Sequence, residues 1–325
     1  MRDNMDTQII TNPSEQELDM LASALRNGEL VSIPTETVYG LGANGLDPEA
    51  MDKIYAAKGR PSDNPLILHV PNSESIKPLV TEVSNTAQLL MDTFWPGPLT
   101  ITLPKSDLVP DRATGGLPRV ALRCPDHKVC RALLERAGVP VAAPSANISG
   151  RPSPTTAQDV YHDMNGRISY ILDAGPCTIG VESTVVEVHD DKVIILRPGG
   201  ITKAQLEGVV STVEYDTALV NATTKPKAPG MKYTHYAPDA PMTVVVGNPE
   251  VIASTFKELS EGIEGPIGCL VSHETYDLIK GDTRFMCHCF GHYGDALSLG
   301  HDFYKSLLHF NENHVTLILA EGVND

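Results

Sequence analysis

What most constrains the fold is a repeated alternation of capped amphipathic segments with short apolar runs. Ser14 stands three residues before Glu17, the spacing of a reciprocal helix cap, and Leu18, Leu21, Ala22 and Leu25 recur at helical spacing. Gly28 suits the left-handed position past a helix end, and Leu30-Val31-Ser32-Ile33 reads as a strand that Pro34 stops. Asp47 as N-cap and Pro48 in the first turn open a second helix running to about Lys58, and Gly59 ends it. Leu66–Val70 is then another short apolar strand.

The alternation continues with helices near 84–94, 126–137 and 155–164, and strands near 99–103, 120–123, 139–143, 168–172, 181–188 and 193–197. Such a series predicts an α/β domain around a twisted, mixed sheet. Periodicity fades from about Ser211 to Pro241, where Thr223–Gly230 is rich in Pro and small polar residues and reads as a linker. Beyond it a strand over Met242–Val246, a helix over Glu250–Ser260, a strand over Ile267–Ser272, a helix near Ala296–Asn311 and a strand over Val315–Ala320 predict a smaller βαβ-type unit. Two domains also fit the length, since 325 residues exceed the ~250–300 at which single cores stop growing. The second unit lacks the G-x-G-x-x-G of a dinucleotide site.

Charge and composition narrow the function. The net charge of −16 works against a surface that grips a nucleic-acid backbone, though not against a small cleft of concentrated positive charge. Residues 1–10 carry Arg2, Asp3 and Asp6 without an apolar core, and no apolar stretch approaches the ~20 residues of a membrane span, so a cytoplasmic protein is expected. The six cysteines form no C-x-x-C pair and read as reduced, mostly buried thiols. Cys287-His288-Cys289 with His292 is a poor match to zinc-ligand spacing, and no protein metal site is expected.

The residues that carry chemistry cluster in turns of the first domain, where open α/β sheets place ligands. Pro34–Gly42 puts two threonine hydroxyls and two glycines after a strand, to cradle a small polar ligand; an ordinary Gly-rich turn accounts for it equally. Lys58-Gly59-Arg60-Pro61, followed by Asn64-Pro65-Leu66 and His69, suits an anion such as a triphosphate. Cations ending a helix also simply complement its dipole. Ala142–Gly150 with Arg151-Pro152-Ser153-Pro154 offers hydroxyls and an amide to phosphate, ribose or carboxylate. Glu182-Ser183-Thr184-Val185 and Leu196-Arg197-Pro198-Gly199-Gly200 complete five such groups. No P-loop, kinase set, nucleophile elbow or H-E-x-x-H helix is present.

Together these groups resemble the threonylcarbamoyl-AMP synthase family in its longer, two-domain form. The resemblance rests on P-T-E-T-V-Y-G-L-G at 34–42, K-G-R-P with N-P-L at 58–66, F-W-P-G-P-L-T at 94–100, R-C-P at 123–125, P-S-A-N-I-S-G at 144–150, E-S-T-V at 182–185 and L-R-P-G-G at 196–200. P-G-M-K-Y-T-H-Y-A-P at 229–238 looks like the stretch that marks the long form. The resemblance implies a YrdC-like catalytic domain over 1–210, a linker or lid over 211–240 and a Rossmann-like α/β domain over 241–325. It implies a nucleotidyltransferase making L-threonylcarbamoyladenylate and pyrophosphate from L-threonine, bicarbonate and ATP with Mg²⁺. A separate threonylcarbamoyl transferase would then modify tRNA.

By the same match Lys58 and Arg60 would be catalytic, and Lys58, Arg60, Asn64, Ser145, Asn147, Ser153, Arg197 and Tyr233 would face ATP. Thr37, His69, Arg123, Ala143 and Ser183 would hold threonine, Arg123 pairing its carboxylate. Arg119, where a small hydroxyl residue is frequent, and Ala143, where Thr is frequent, depart from the family pattern. The main competing reading is a module that binds double-stranded RNA or a nucleotide without this activity; net charge and the lack of interleaved basic and aromatic residues count against it. A hydrogenase-maturation carbamoyl transferase would carry an acylphosphatase segment and C-x-x-C motifs, and neither occurs.

Overall fold

The computed structural model describes residues 6–190, 192–219 and 236–323. The chain divides into two compact units, Met1–Thr178 with Glu182–His235, and Ile179–Val181 with Tyr236–Asp325.

The first unit begins β1 (Gln8–Thr11), α1 (Glu15–Arg26), β2 (Val31–Ile33), β3 (Gly40–Asn44), α2 (Pro48–Lys58) and β4 (Ile67–His69). It continues through α3 (Asn85–Phe94), β5 (Leu99–Pro104), α4 (Asp111–Thr114), β6 (Arg119–Arg123), α5 (Lys128–Ala137), β7 (Val141–Ala142) and α6 (Ala157–Met164). Strands β8 (Tyr170–Asp173), β9 (Thr184–Val188) and β10 (Val193–Arg197), helix α7 (Lys203–Glu207) and β11 (Val213–Tyr215) complete it. Its eleven strands form one mixed sheet in the order β1-β8-β2-β3-β7-β4-β6-β5-β9-β10-β11.

The period of two in the strands sorts the core onto both faces. Val31, Ile33, Val141, Ala143 and Leu172 pack with the apolar stripes of α1 and α5. Leu41, Ala43, Ala142 and Ile171 face the other way, toward Met51 and Ile54 of α2, Leu90 of α3 and Val160 of α6. Each fully buried Leu or Ile contributes roughly 1.5–3 kcal/mol against exposure. The predicted start of α1 is as expected: the Ser14 hydroxyl and Glu17 carboxylate cap one another's backbone.

The second unit is β12 (Met242–Val246), α8 (Pro249–Leu259), β13 (Ile267–Val271), α9 (His273–Ile279), β14 (Phe285–Cys289), α10 (Ala296–Glu312) and β15 (Leu317–Gly322). Its sheet, in the order β12-β15-β13-β14, is parallel throughout.

Several elements differ from the sequence reading. Gly40–Asn44, read as a turn, is a strand between β2 and β7. Its glycines permit close approach: a Cβ on Gly42 would lie 2.9 Å from both Val141 Cγ1 and Val31 O. The strand expected over 139–143 shortens to Val141–Ala142, between Pro140 and Pro144. Strands β1, β11 and β14 and helices α4 and α9, each short and weakly patterned, were not predicted. Cys287-His288-Cys289 falls within β14, so its two thiols lie on one face and the imidazole on the other.

Candidate functional site

The five groups singled out in the sequence occupy turns and strand ends of the first unit. At the end of α2 the backbone turns left-handed at Gly59, φ 62°. That turn leaves Lys58 pointing inward, 1% exposed. Its ammonium donates to the Ser145 carbonyl, to the Asn147 carbonyl at 2.5 Å and to Asn147 Oδ1 at 3.4 Å. Burial and the nearby charge of Arg60 push the Lys58 ammonium well below its usual range, while Asp163 and Glu182 pull the other way.

The 144–153 loop is therefore tied to α2, and it is tied again to α6. Asp163 accepts from the Ile148 amide at 2.9 Å and from Arg151 at 2.7 Å. Asn147 Nδ2 donates to the Ile148 and Arg151 carbonyls, each at 2.8 Å. Ser153 donates to Glu182 Oε1 at 2.5 Å, linking this loop to the segment before β9. Arg60 donates to the Pro65 carbonyl at 3.1 Å. Asn64 is fully buried, and its side-chain amide has no hydrogen-bond partner among the described residues. Beside it, Pro65, Leu66, Leu117, Pro118, Arg119 and Ala121 line a cavity of about 290 Å³. Arg119 is held at that cavity by the Thr102 and Val188 carbonyls, at 2.7 and 2.9 Å.

A second cluster gathers the remaining residues. The Thr35 and Thr37 hydroxyls are 2.9 Å apart and buried, in a turn that Thr35 closes by donating to the Val38 carbonyl at 2.6 Å. His69 and Arg123 are register partners on β4 and β6. Burial and the Arg123 charge lower the His69 imidazole to about 3, so it is neutral at physiological pH. Arg123 Nη2 lies 2.7 Å from Glu36 Oε1. Ser183 shares a 2.7 Å hydrogen bond with the Thr100 hydroxyl, and Arg197 donates to the Ser183 carbonyl at 2.8 Å and hydroxyl at 3.2 Å. Ala143 donates its amide to the Ile67 carbonyl at 3.0 Å, while its methyl group joins the core under α1 and α5.

Thus Lys58, Ser145 and Asn147 are joined directly, as is Ser183 with Arg197, while His69 and Arg123 are neighbours in register on paired strands. Tyr233 lies outside the described residues. Glu36 and Glu182 stood inside the quoted motifs without being given a role, whereas Asp163, near the end of an amphipathic helix, gave no signal that it would be buried.

A buried lysine, several arginines and neutral hydroxyls and amides in the turns of a mixed α/β sheet are the kind of groups that suit an anionic ligand and a small polar one. The family described as "Telomere recombination" matches residues 23–199, and that described as "Threonylcarbamoyl-AMP synthase, C-terminal domain" matches 201–325. A threonylcarbamoyl-AMP synthase of Bacillus subtilis is 45% identical over 96% of this chain and 89% of its own length. One from Pyrococcus abyssi is 42% identical over 96% of this chain and 90% of its own. The crystal structure of P. abyssi Sua5 complexed with L-threonine superposes with a TM-score of 0.87 at 40% identity, covering 98% of this chain and 92% of that one. The chain belongs to the threonylcarbamoyl-AMP synthase family.

Proposed function

We propose that this protein uses ATP to convert L-threonine and bicarbonate into L-threonylcarbamoyladenylate, releasing pyrophosphate. The observation that carries the reading is Lys58, buried and held against the Ser145–Asn147 loop in a chain whose relatives of similar length bear this activity's name.

The roles follow from the chemistry of each cluster. Lys58 and Arg60 offset charge that builds on the triphosphate as the carbamate oxygen attacks the α-phosphorus. Asn64, Ser145, Asn147, Ser153 and Arg197 orient the nucleotide, and the cavity beside Asn64 receives its flat base. Arg123 pairs with the threonine carboxylate, and Thr37, His69, Ala143 and Ser183 enclose the rest of the amino acid. A neutral His69 accepts or donates one hydrogen bond without competing for that carboxylate.

No covalent enzyme intermediate is required, because bicarbonate carbon joins the threonine nitrogen with loss of water and the carbamate oxygen then displaces pyrophosphate from the α-phosphorus. The protein's share is positioning and preorganised charge. Mg²⁺ usually keeps several waters and rides on substrate phosphates rather than in an all-protein cage. The buried Lys58 ammonium and the Ser153–Glu182 pair are groups that can bind or border such phosphates. When bound, Mg²⁺ would neutralise phosphate charge, and Glu182, which accepts from Ser153, is one carboxylate at that turn.

In this reading residues 1–210 are the catalytic domain, 211–240 the connection and 241–325 the second domain. The product passes to a separate threonylcarbamoyl transferase for tRNA modification in the cytoplasm. No helix among the described residues is long and apolar enough to cross a membrane.

The test is pyrophosphate release by purified protein with ATP and Mg²⁺, omitting threonine or bicarbonate in turn. Release that requires both is expected. Release indifferent to threonine would leave only a nucleotide-binding protein.

A further inference from the structure

Glu36 sits between Thr35 and Thr37, and the Thr35 hydroxyl fixes its turn by accepting from the Thr37 and Val38 amides at 3.2 Å each. Its Oε1 is 2.7 Å from Arg123 Nη2, with side chains 5% and 4% exposed. Among the described ion pairs this is the one buried on both sides. On its other edge Arg123 Nε donates to the Gly97 carbonyl at 3.4 Å. The other titratable groups facing the carboxylate are the Cys124, Cys130 and Cys177 thiols, raised chiefly by burial, and half-buried His127, lowered by burial. None of these supplies a second positive charge.

A buried ion pair is weak evidence for stability, because desolvation of both charges offsets their attraction. It is better evidence for placement. Arginine offers five donors in a planar fork on a flexible stem, and bidentate recognition of a carboxylate needs that fork held in one plane. Glu36 pairs with the Nη2 end as an ion pair and the Gly97 carbonyl accepts from Nε, so the guanidinium meets an incoming carboxylate from a fixed side.

We propose that Glu36 is a positioning residue for threonine recognition, acting through Arg123 in two ways. It orients the guanidinium in advance, so that the amino acid does not have to order it on binding. It also cancels most of the Arg123 charge, so that the threonine subsite does not trap phosphate or pyrophosphate in an enzyme that handles both. The proposal rests on the functional reading above, in which Arg123 pairs with the threonine carboxylate.

Steady-state pyrophosphate release tests it, with Glu36→Gln, Arg123→Lys and the double variant. Glu36→Gln should raise the threonine KM about tenfold, equivalent to about 1.4 kcal/mol, and leave the ATP KM within about twofold. Inorganic phosphate should become a competitive inhibitor against threonine in that variant and not in the unaltered protein. The double variant should be no worse than Arg123→Lys alone, because both changes act on one contact. A loss confined to kcat, additive effects, or no new phosphate inhibition would overturn the proposal. Should Glu36→Gln fail to fold, Glu36→Asp keeps the charge with a shorter reach; a threonine KM raised severalfold supports the proposal and an unchanged one overturns it. If the unaltered protein releases no threonine-dependent pyrophosphate, the functional reading falls first and the proposal falls with it.

Discussion

The two units use buried polar groups for different ends. In the first, Lys58, Asn64, His69, Arg123, Asn147 and Ser183 lie buried in loops or at the ends of helices and strands. Lys58 and Asn147 bond to each other, Ser183 bonds to Thr100 and Arg197, and the Asn64 amide has no hydrogen-bond partner among the described residues. In the second, buried polar groups mostly complete the framework. Glu321 accepts from the Ser272 amide at 2.8 Å and hydroxyl at 2.9 Å, fixing the start of α9. Asn311 accepts from the Asp239 amide at 2.9 Å, and Ser306 donates to the Phe303 carbonyl at 2.7 Å. Burial of polarity thus marks a ligand site where it gathers cations and neutral donors in turns, as in the first unit; an unpaired group alone does not, since Asn311 Nδ2 and Glu321 Oε1 also lack a hydrogen-bond partner among the described residues.

Four changes would sharpen or break that contrast. The largest effect belongs to Lys58→Met, which keeps the apolar stem and deletes the charge. Pyrophosphate release should fall by roughly 10²–10³, as when one preorganised donor is lost from other active sites. A loss below tenfold would remove Lys58 from the centre of the account. Next, Glu321→Ala should cost about 1–3 kcal/mol by unpairing Ser272, read as a lower denaturation midpoint. At temperatures well below melting, kcat/KM should not move, and a fall in activity without a fall in stability would erase the distinction between the units.

The third change has no effect on stability through protonation at neutral pH and shows only as pH falls. An unfolded histidine binds a proton near pH 6.5, whereas folded His69 does so only near 3. The unfolded chain therefore binds more protons between those values. The His69 contribution is complete above pH 6.5 and is lost as pH falls toward 3, at up to about 1.4 kcal/mol per pH unit. His69→Asn should flatten the fall of stability between pH 6.5 and 4, measured by denaturant titration at each pH. An identical slope in both proteins would rule out this linkage. The smallest effect belongs to Ser183→Ala, which removes hydroxyl contacts to Thr100 and Arg197. About 0.5–1.5 kcal/mol per hydrogen bond predicts a threonine KM raised a fewfold; an unchanged KM would confine Ser183 to scaffolding.

How much of this was readable from sequence varied with the physics of each element. Capped helices such as α1 and α2 carry their own punctuation in Ser14, Glu17, Asp47, Pro48 and Gly59, and each formed where that punctuation placed it. Strand β3 was hidden because Gly40 and Gly42 carry no β propensity, and only the packing of β2 and β7 requires a residue without Cβ there. Strand β14 reads as cysteine-rich and uncertain until β13 pairs with it in register. In the site, the motif residues were visible as types in order. What pairs with what was not: the Glu36–Arg123 bond spans 87 positions of chain, and Asp163 reaches the 148–151 turn from a helix that looks merely amphipathic.

The most direct test of the central claim is mass spectrometry of the adenylate formed from ¹³C-bicarbonate, L-threonine and ATP. The account predicts a threonine-containing adenylate that carries one ¹³C from bicarbonate, formed roughly 10²–10³ times more slowly when Lys58 is replaced by Met. An unlabelled threonyl adenylate, or AMP and pyrophosphate with no adenylate at any time, would contradict it.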